Sequence, residues 1–321
     1  MVNYEHMGGM READPAAVAK LRNKLVDSST TLSQKYRILF SLRNLAGSDA
    51  HEAMLLGLKD PSALFRHEVA YCLGQRQDPA AIQTLTTILQ DTAEHPMVRH
   101  EAGEALGAIG KESCLAPLRE HVDDQCLEVA QTCQLALQRI EYHLAEAEKH
   151  NTRNTSTEMQ HPETESGPSP YLSVDPTPPA PDSIPSTDLR SCLLNDEERI
   201  FDRYRALFAL RNRGGTEEVQ ALSASFKSNS ALLKHEVAYV LGQIQDANTV
   251  SQLKIVLEDS KENPMVRHEA AEALGSIAAP ECLDLLKQYT LDIDPIVADS
   301  CIVALDMLEH EQSGEFEYAK I

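Results

Sequence analysis

Apolar residues recur at helical spacing along most of the chain. Ala102, Ala105, Leu106 and Ile109, for example, fall at positions i, i+3, i+4 and i+7, which share one face of an α-helix. Asp-Pro, His-Pro and Asn-Pro dipeptides precede several such segments. Proline is tolerated in a first helical turn, whereas the residue before it resists helix. No alternating pattern of any length indicates a strand. The sequence therefore predicts an all-α protein.

The helical pattern occurs twice. The segment YRILFSLRN at 36–44 matches YRALFALRN at 204–212, and PMVRHEA occurs both at 96–102 and at 264–270. Both matches share one constant offset without a gap, which we call the repeat offset and which takes Tyr36 to Tyr204. Within each half a shorter unit of about 30 residues recurs, and it has the pattern of two helices joined by a turn. We therefore predict a HEAT-like α-solenoid of eight helical hairpins in two pseudo-symmetric halves.

The predicted organisation has three parts. We expect an N-terminal HEAT-like half at 1–150, a Pro/Ser/Thr-rich disordered linker at 151–186 and a C-terminal HEAT-like half at 187–321. The linker contains eight of the sixteen prolines, and such a composition buries too little apolar surface to offset the entropy of ordering. The predicted helical pairs are 15–46, 49–75, 79–109, 113–148, 187–213, 216–244, 248–278 and 280–310.

Composition restricts the kind of partner. The formal net charge is −21, which argues against nucleic acid and suits a basic partner. A polar start and the lack of a long apolar run predict neither a signal peptide nor a membrane span. Seven cysteines without a C-x-x-C motif indicate reduced thiols. We expect a cytoplasmic protein, with the nucleus as a second compartment, and we favour a monomer.

The dipeptide His-Glu marks the candidate site. Four copies obey the repeat, because the spacing of the two copies is the same in each half and the repeat offset relates the halves. These copies are His67-Glu68, His100-Glu101, His235-Glu236 and His268-Glu269. Two further copies, which begin at His51 and His310, do not obey the offset. We interpret the four as site residues and the two as surface residues.

The residue types of the four pairs suit a metal. Two histidines and one carboxylate with open positions form the usual non-haem Fe(II) site for oxygen chemistry. Neighbouring solenoid helices can bring together one such set from each half. The two sets of first ligands are His67, His100 and Glu101, and His235, His268 and Glu269. Two alternatives stay open: zinc at the same ligands, and hydrogen bonds between helices without any metal.

Two segments carry a resemblance to a known family. VRHEAAEALGSI at 266–277 and HEVAYVLGQ at 235–243 look like HEAT-like repeats of the phycobilisome-lyase type, and four such repeats with His-Glu resemble the deoxyhypusine hydroxylases. The resemblance covers nearly all of both halves. It implies a monooxygenase with two Fe(2+) ions per chain and O₂ as co-substrate. The implied protein substrate is the hypusine-containing translation initiation factor of the 5A type, whose deoxyhypusine side chain is hydroxylated to complete hypusine.

The resemblance also implies roles for the carboxylates. All eight His and Glu residues belong to the metal site, and Glu68 and Glu236 bind the substrate amine instead of acting as first ligands. An acidic cleft suits a polyamine arm on physical grounds. Two other functions are a non-catalytic HEAT-like scaffold for a protein partner and a helper resembling the bilin lyases.

Other residues obey the repeat offset without a clear chemical role. Met97 and Met265 either line the cleft or lie in the core, and we expect the core. Tyr71 and Tyr239 are expected to pack. A glycine follows each site histidine after almost two helical turns. It either leaves room for substrate or allows close helix packing. These glycines are Gly74, Gly107, Gly242 and Gly275.

Overall fold

The structure, a computed structural model, describes residue 12 and residues 14–153 and 169–313. Within these residues the chain forms α-helices and short 3-10 turns and no strand, which confirms the all-α prediction. The helices of the first half are α1 Pro15–Leu25, α2 Leu32–Arg43, α3 Ser48–Leu56, α4 Ala63–Gln75, α5 Ile82–Gln90, α6 Pro96–Ile109, α7 Leu115–Arg119 and α8 Leu127–Arg153. Those of the second half are α9 Ser186–Leu194, α10 Ile200–Arg213, α11 Thr216–Ala224, α12 Ala231–Ile244, α13 Val250–Glu258, α14 Pro264–Ile277, α15 Leu283–Tyr289 and α16 Pro295–Ser313.

Local sequence defines where the helices begin. Thr31 and Gln34 form a capping box at the start of α2, each side chain bonding the other's backbone N–H. Pro264 occupies the first turn of α14, and the Asn263 side chain accepts a hydrogen bond from the Met265 N–H. These caps satisfy backbone groups that a helix end otherwise leaves without partners.

The even-numbered helices line the inside of the fold. Each contacts the next along the chain from α2 to α16, and α16 returns to contact α2 and α4. The two junctions between the halves are related by the repeat. Ser62 donates a hydrogen bond to Asp299 at one junction (2.7 Å), and Ser230 donates to Gln131 at the other (3.0 Å). The solenoid therefore closes into a ring of eight inner helices.

The repeated glycines serve close helix packing. A Cβ atom on Gly74 would lie 2.7 Å from Ala105 Cα, and one on Gly275 would lie 2.6 Å from the Ala304 carbonyl oxygen. The alternative that they leave room for a substrate is therefore wrong for these two positions. Met97 and Met265 lie in the two apolar cores, as predicted. Among the described residues no helix is both long and apolar enough for a bilayer.

Part of the predicted linker is ordered. Gln75 exchanges two hydrogen bonds with the backbone of Val174 (2.8 and 3.2 Å), and Arg211 donates to Asp175 (2.9 Å). Ala180 is buried, and its N–H donates to the Arg205 carbonyl. The prediction of disorder is therefore wrong for residues 169–185, because polar side chains of the helices bind the segment and its prolines restrict it. Helix α9 then begins at Ser186, and residues 154–168 lie outside the described residues.

Candidate metal centre

Inner helices α4, α6, α12 and α14 carry the four His-Glu pairs. The arginine that precedes the pair points away from the site in α6 and α14. Arg99 pairs with Asp124 (2.6 Å) and Arg267 with Asp292 (2.6 Å), each in the turn before the next inner helix. Adjacent helical residues point about 100° apart. Because the arginine is held on the outer side of the helix, the histidine and glutamate that follow it point toward the inside of the ring of helices.

The first half brings together one predicted ligand set. Nε2 of His67 lies 3.3 Å from Oε2 of Glu101, and Nε2 of His100 lies 3.9 Å from the same oxygen. The candidate ligand atoms of His67, His100 and Glu101 all lie within 4.8 Å of one another. Three donor atoms from two neighbouring helices thus converge on one point.

The second half repeats this arrangement. Nε2 of His235 lies 3.3 Å from Oε2 of Glu269, and Nε2 of His268 lies 3.9 Å from it. The equal distances in the two halves mean that the duplication preserves the geometry of the site as well as its residue types.

The two ligand sets form a single cluster across the halves. The ring centroids of His67 and His268 are 5.5 Å apart and those of His100 and His235 are 5.6 Å apart. These separations match the 5.5 Å and 5.2 Å found within each half. Ligand atoms of His67, His235 and His268 also lie within 4.8 Å of one another. The histidines therefore belong to one shared centre at the pseudo-symmetry axis.

Burial leaves the imidazoles without ordinary partners. His100 and His268 are 0% exposed, and His67 and His235 are buried with them. Nε2 of each of the four rings has no hydrogen-bond partner within the described part of the chain. A buried nitrogen without a partner is costly. Four such nitrogens beside two carboxylates fit a divalent transition metal, which accepts imidazole and carboxylate ligands together.

Hydroxyl groups behind the cluster orient two of the rings. Nδ1 of His100 lies 3.5 Å from Thr132 Oγ1, and Nδ1 of His268 lies 3.4 Å from Ser300 Oγ. Ser300 also donates to Glu272 (3.0 Å). Such groups position metal-binding histidines. Sequence reasoning missed Thr132 and Ser300, although the repeat offset relates them.

The protonation states agree with a site for a cation. Burial lowers the pKa of His67 and of His235 to about 4, so both rings are neutral at physiological pH and able to bind metal. Burial raises the pKa of Glu101 to about 8, with His235 opposing the rise and Glu269 adding to it. Burial and then Glu272 raise the pKa of Glu269. A metal ion among these carboxyls would favour their ionised forms.

A cavity of about 470 Å³ opens beside the cluster. Both halves line it, and Glu68 and Glu236 lie in its wall instead of beside the Nε2 atoms. Glu104 and Glu272 also line it, and sequence reasoning missed them. Two signals were present, since each follows a site histidine by one helical turn and the repeat offset relates the two.

The histidines of the two His-Glu pairs outside the repeat are not the exposed surface residues that the sequence predicted. His51 is 5% exposed, with Nδ1 3.5 Å from Asp78, so the prediction of a surface residue is wrong. His310 is half-buried and lies in the cavity wall. Helix α3 packs inside the first repeat and α16 closes the ring, and neither location follows from the repeat alone. Neither histidine belongs to the groups of converging ligand atoms.

Known proteins with the same organisation identify the family. HEAT repeats match residues 51–138 and 219–306. Deoxyhypusine hydroxylase of Rattus norvegicus is 48% identical over 94% of this chain and 95% of its own length, and that of Danio rerio is 48% identical over 96% of both. The solved structure of human deoxyhypusine hydroxylase in complex with glycerol has a TM-score of 0.82 and 47% identity, over 92% of this chain and 97% of that one. Because this similarity extends over nearly the whole of both chains, the chain belongs to the deoxyhypusine hydroxylase family.

Proposed function

We propose that this protein hydroxylates the deoxyhypusine side chain of the hypusine-containing translation initiation factor, with iron held by the four histidines and two glutamates. One structural observation carries the assignment. Four buried Nε2 atoms without hydrogen-bond partners converge beside Glu101 and Glu269 at the wall of a cavity. A non-catalytic scaffold or a lyase-type helper gives no reason for such an arrangement. Membership of the family supplies the substrate.

The overall reaction replaces one C–H bond by C–OH. It consumes O₂, two electrons from an external donor and two protons, and it releases one water molecule. When bound, iron supplies the redox chemistry for O₂, and the first ligands would be His67, His100, Glu101, His235, His268 and Glu269. Two ions per chain correspond to the duplicated sets.

The protein's own groups prepare the site. Burial keeps the imidazoles neutral by lowering their pKa, so their nitrogens are free to bind metal at neutral pH. Thr132 and Ser300 hold two rings in place. The low exposure of the cluster also excludes water, which strengthens each electrostatic interaction inside it.

The cavity suits a cationic arm. A deoxyhypusine side chain carries a secondary and a primary amine, which are both protonated at neutral pH. Glu68 and Glu236 are buried in the cavity wall, 7% and 4% exposed. Charge-assisted hydrogen bonds to such carboxylates are worth about 1.5–3 kcal/mol each.

Two measurements on the purified protein test the proposal. The first is the metal content, for which we expect two iron ions per chain. The second is the mass of the deoxyhypusine form of the factor after incubation with protein, reductant and O₂, for which we expect a gain of one oxygen atom. His100→Ala serves as the inactive control. Stoichiometric zinc, or a factor of unchanged mass with iron-loaded protein, would reject the hydroxylase.

A further inference from the structure

The cavity has two ends related by the repeat, and they are not equivalent. We call one the strap end, lined by Glu104 and Glu236, and the other the open end, lined by their counterparts Glu272 and Glu68 and by Arg43. Residues 173–176, which we call the strap, line the cavity at the strap end. Within the described residues no corresponding segment lines the open end.

Hydrogen bonds hold the strap in place. Arg211 donates to the Asp175 carboxylate from Nη1 (2.9 Å), and Arg139 donates to the Asp175 carbonyl (3.0 Å). Gln243 donates to Ser173 (3.1 Å), while Gln75 binds both backbone groups of Val174. The strap is therefore bound by helices of both halves and forms a fixed wall.

Side-chain burial distinguishes the two ends. Arg211 and Phe208 at the strap end are 1% and 0% exposed. Their counterparts at the open end, Arg43 and Phe40, are only half-buried, with the Arg43 guanidinium 5.0 Å from the centre of the Phe40 ring. Among the described residues, the side chains at the open end are thus more accessible to solvent than those at the strap end.

Each end contains more carboxyl groups than guanidinium groups. The strap end combines three carboxylates with two guanidinium groups. These are Glu104, Glu236, Asp175, Arg139 and Arg211. The open end has the same numbers, since Asp306 and Arg37 pair at its rim (2.7 Å) beside Glu68, Glu272 and Arg43. Burial raises the pKa of the four glutamates, and one ammonium group beside each set would favour their ionised forms.

Glu236 lines the cavity at the strap end. It is 4% exposed, and in the described part of the chain its carboxylate makes no hydrogen bond or ion pair. Burial raises the pKa of Glu236, with Glu104 and Asp175 adding to the rise and Arg211 opposing it. An ammonium group at the strap end would supply both a hydrogen-bond donor and the opposite charge that favours the ionised carboxylate.

We infer that the amine arm enters at the open end, that its terminal ammonium binds Glu104 and Glu236, and that the strap is the end wall that limits how far it reaches. This inference rests on the proposed function. Glu68 and Glu272 then bind the secondary amine nearer the entrance. The carbon chain between the two amines lies beside the histidine cluster, so binding an ammonium at each end positions the carbon that reacts.

The first test separates the two carboxylate pairs by their response to the terminal amine. The probes are the factor carrying its aminobutyl arm and the factor carrying a butyl arm that keeps only the secondary amine. Dissociation constants are measured by fluorescence anisotropy on the metal-loaded full chain without O₂. We expect Glu104→Gln to weaken binding of the aminobutyl arm about tenfold and to leave the butyl arm unchanged. Glu272→Gln should weaken binding of both arms.

The binding measurements distinguish a wrong direction of the arm from a wrong function of the protein. If Glu272→Gln, and not Glu104→Gln, left the dissociation constant of the butyl arm unchanged, the arm would enter from the opposite direction. Equal effects of both variants on both arms would also overturn the inference. Wild-type protein that binds neither arm would instead reject the proposed function itself.

The second test addresses the end wall. We expect wild-type protein to favour the aminobutyl over an aminopentyl arm by about tenfold, the discrimination that one methylene typically gives. Trimming the wall in Val174→Gly/Pro176→Gly should largely abolish this preference while binding of the aminobutyl arm persists. Leu172→Ala is the control, because this residue is 55% exposed and lies outside the cavity wall. A preference that survives in the trimmed variant would exclude the strap as the wall.

Discussion

The hydroxyl oxygens of Tyr71 and Tyr239 lie 2.9 Å apart, although the two residues come from different halves of the chain. They are equivalent by the repeat, so this hydrogen bond crosses the pseudo-symmetry axis. One hydroxyl donates and the other accepts, which makes two equivalent residues different. Both rings line the cavity. The sequence indicated only packing for them, whereas the structure shows a polar contact that joins the halves.

This contact predicts a specific coupling. Tyr71→Phe or Tyr239→Phe alone removes the hydrogen bond and should lower the free energy of unfolding by about 0.5–1.5 kcal/mol. The double variant should cost less than the sum of the two, because the bond is lost only once. Urea unfolding of all four proteins measures the coupling. Strictly additive effects would mean that the hydroxyls do not interact.

Sequence was sufficient for the duplicated elements. The repeat offset allowed each candidate residue to be compared with its counterpart in the other half. The equal spacing of the His-Glu pairs within each half placed His67 and His100 on neighbouring helices. Helical periodicity predicted the helices because each buries one face. These features are local or repeated, and a single chain displays them directly.

Features that depend on ring closure could not be predicted from the sequence. Glu104 and Glu272 both resemble exposed helical glutamates. The meeting of α16 with α2 and α4 closes the ring on the side of Glu272, whereas the strap lines the cavity at the end that contains Glu104. The order of the strap could not be predicted for a different reason. Its composition is that of a disordered segment, and its order comes from distant partners such as Arg211 and Gln75, which local composition does not reveal.

Metal content tests the ligand assignment. We expect His100→Ala and His268→Ala each to lower iron well below two ions per chain, because each ring lies within 5.6 Å of one in the other half. His51→Ala, also buried but outside the cluster, should keep its iron. Atomic absorption on the three variants, with thermal melts to exclude unfolding, gives the answer. Equal loss in His51→Ala would refute the assignment.

The two equivalent arginines should differ in their effect on stability. Arg211 is fully buried against Asp175, and removing one partner of a buried pair costs on the order of 3–5 kcal/mol. Arg43 has no carboxylate hydrogen-bonded to it in the described residues, so Arg43→Met should cost less than about 1 kcal/mol. Thermal unfolding of Arg211→Met and Arg43→Met compares them directly. Similar losses would show that the strap contributes little to stability.

The shifted pKa values predict how the stability of the metal-free protein depends on pH. Glu101 has its pKa raised to about 8 from an ordinary 4.5, so between these values the folded protein keeps a proton that the unfolded chain has lost. Stability therefore falls as pH rises through this range. His67 and His235, with pKa values of about 4, act in the opposite sense, but only below pH 6.5.

Between pH 6.5 and 8 the effect of Glu101 is therefore not opposed by these histidines. We expect the melting temperature of the metal-free protein to fall across this interval, with a change in unfolding free energy of up to about 1.4 kcal/mol per pH unit for each proton. Glu101→Gln should reduce the dependence by the share of one proton, because burial also raises the pKa of other carboxyls such as Glu269. Iron should reduce it as well by favouring the ionised carboxylates. A metal-free protein equally stable at both pH values would contradict the burial of a protonated carboxyl.

The site contains two kinds of carboxylate, which should respond differently to substitution. Glu101 and Glu269 each lie 3.3 Å from the Nε2 of a site histidine, whereas Glu68 and Glu236 line the cavity. Glu101→Ala and Glu269→Ala should therefore lose iron first. Glu68→Ala and Glu236→Ala should retain most of their iron but bind the deoxyhypusine form of the factor poorly, by about tenfold or more for each charge-assisted hydrogen bond lost. Iron content and factor binding are measured side by side on the four variants. If Glu68→Ala and Glu236→Ala lost iron as readily as the other two, all four carboxylates would have to be treated as metal ligands, and the cavity would need other groups to bind the amines.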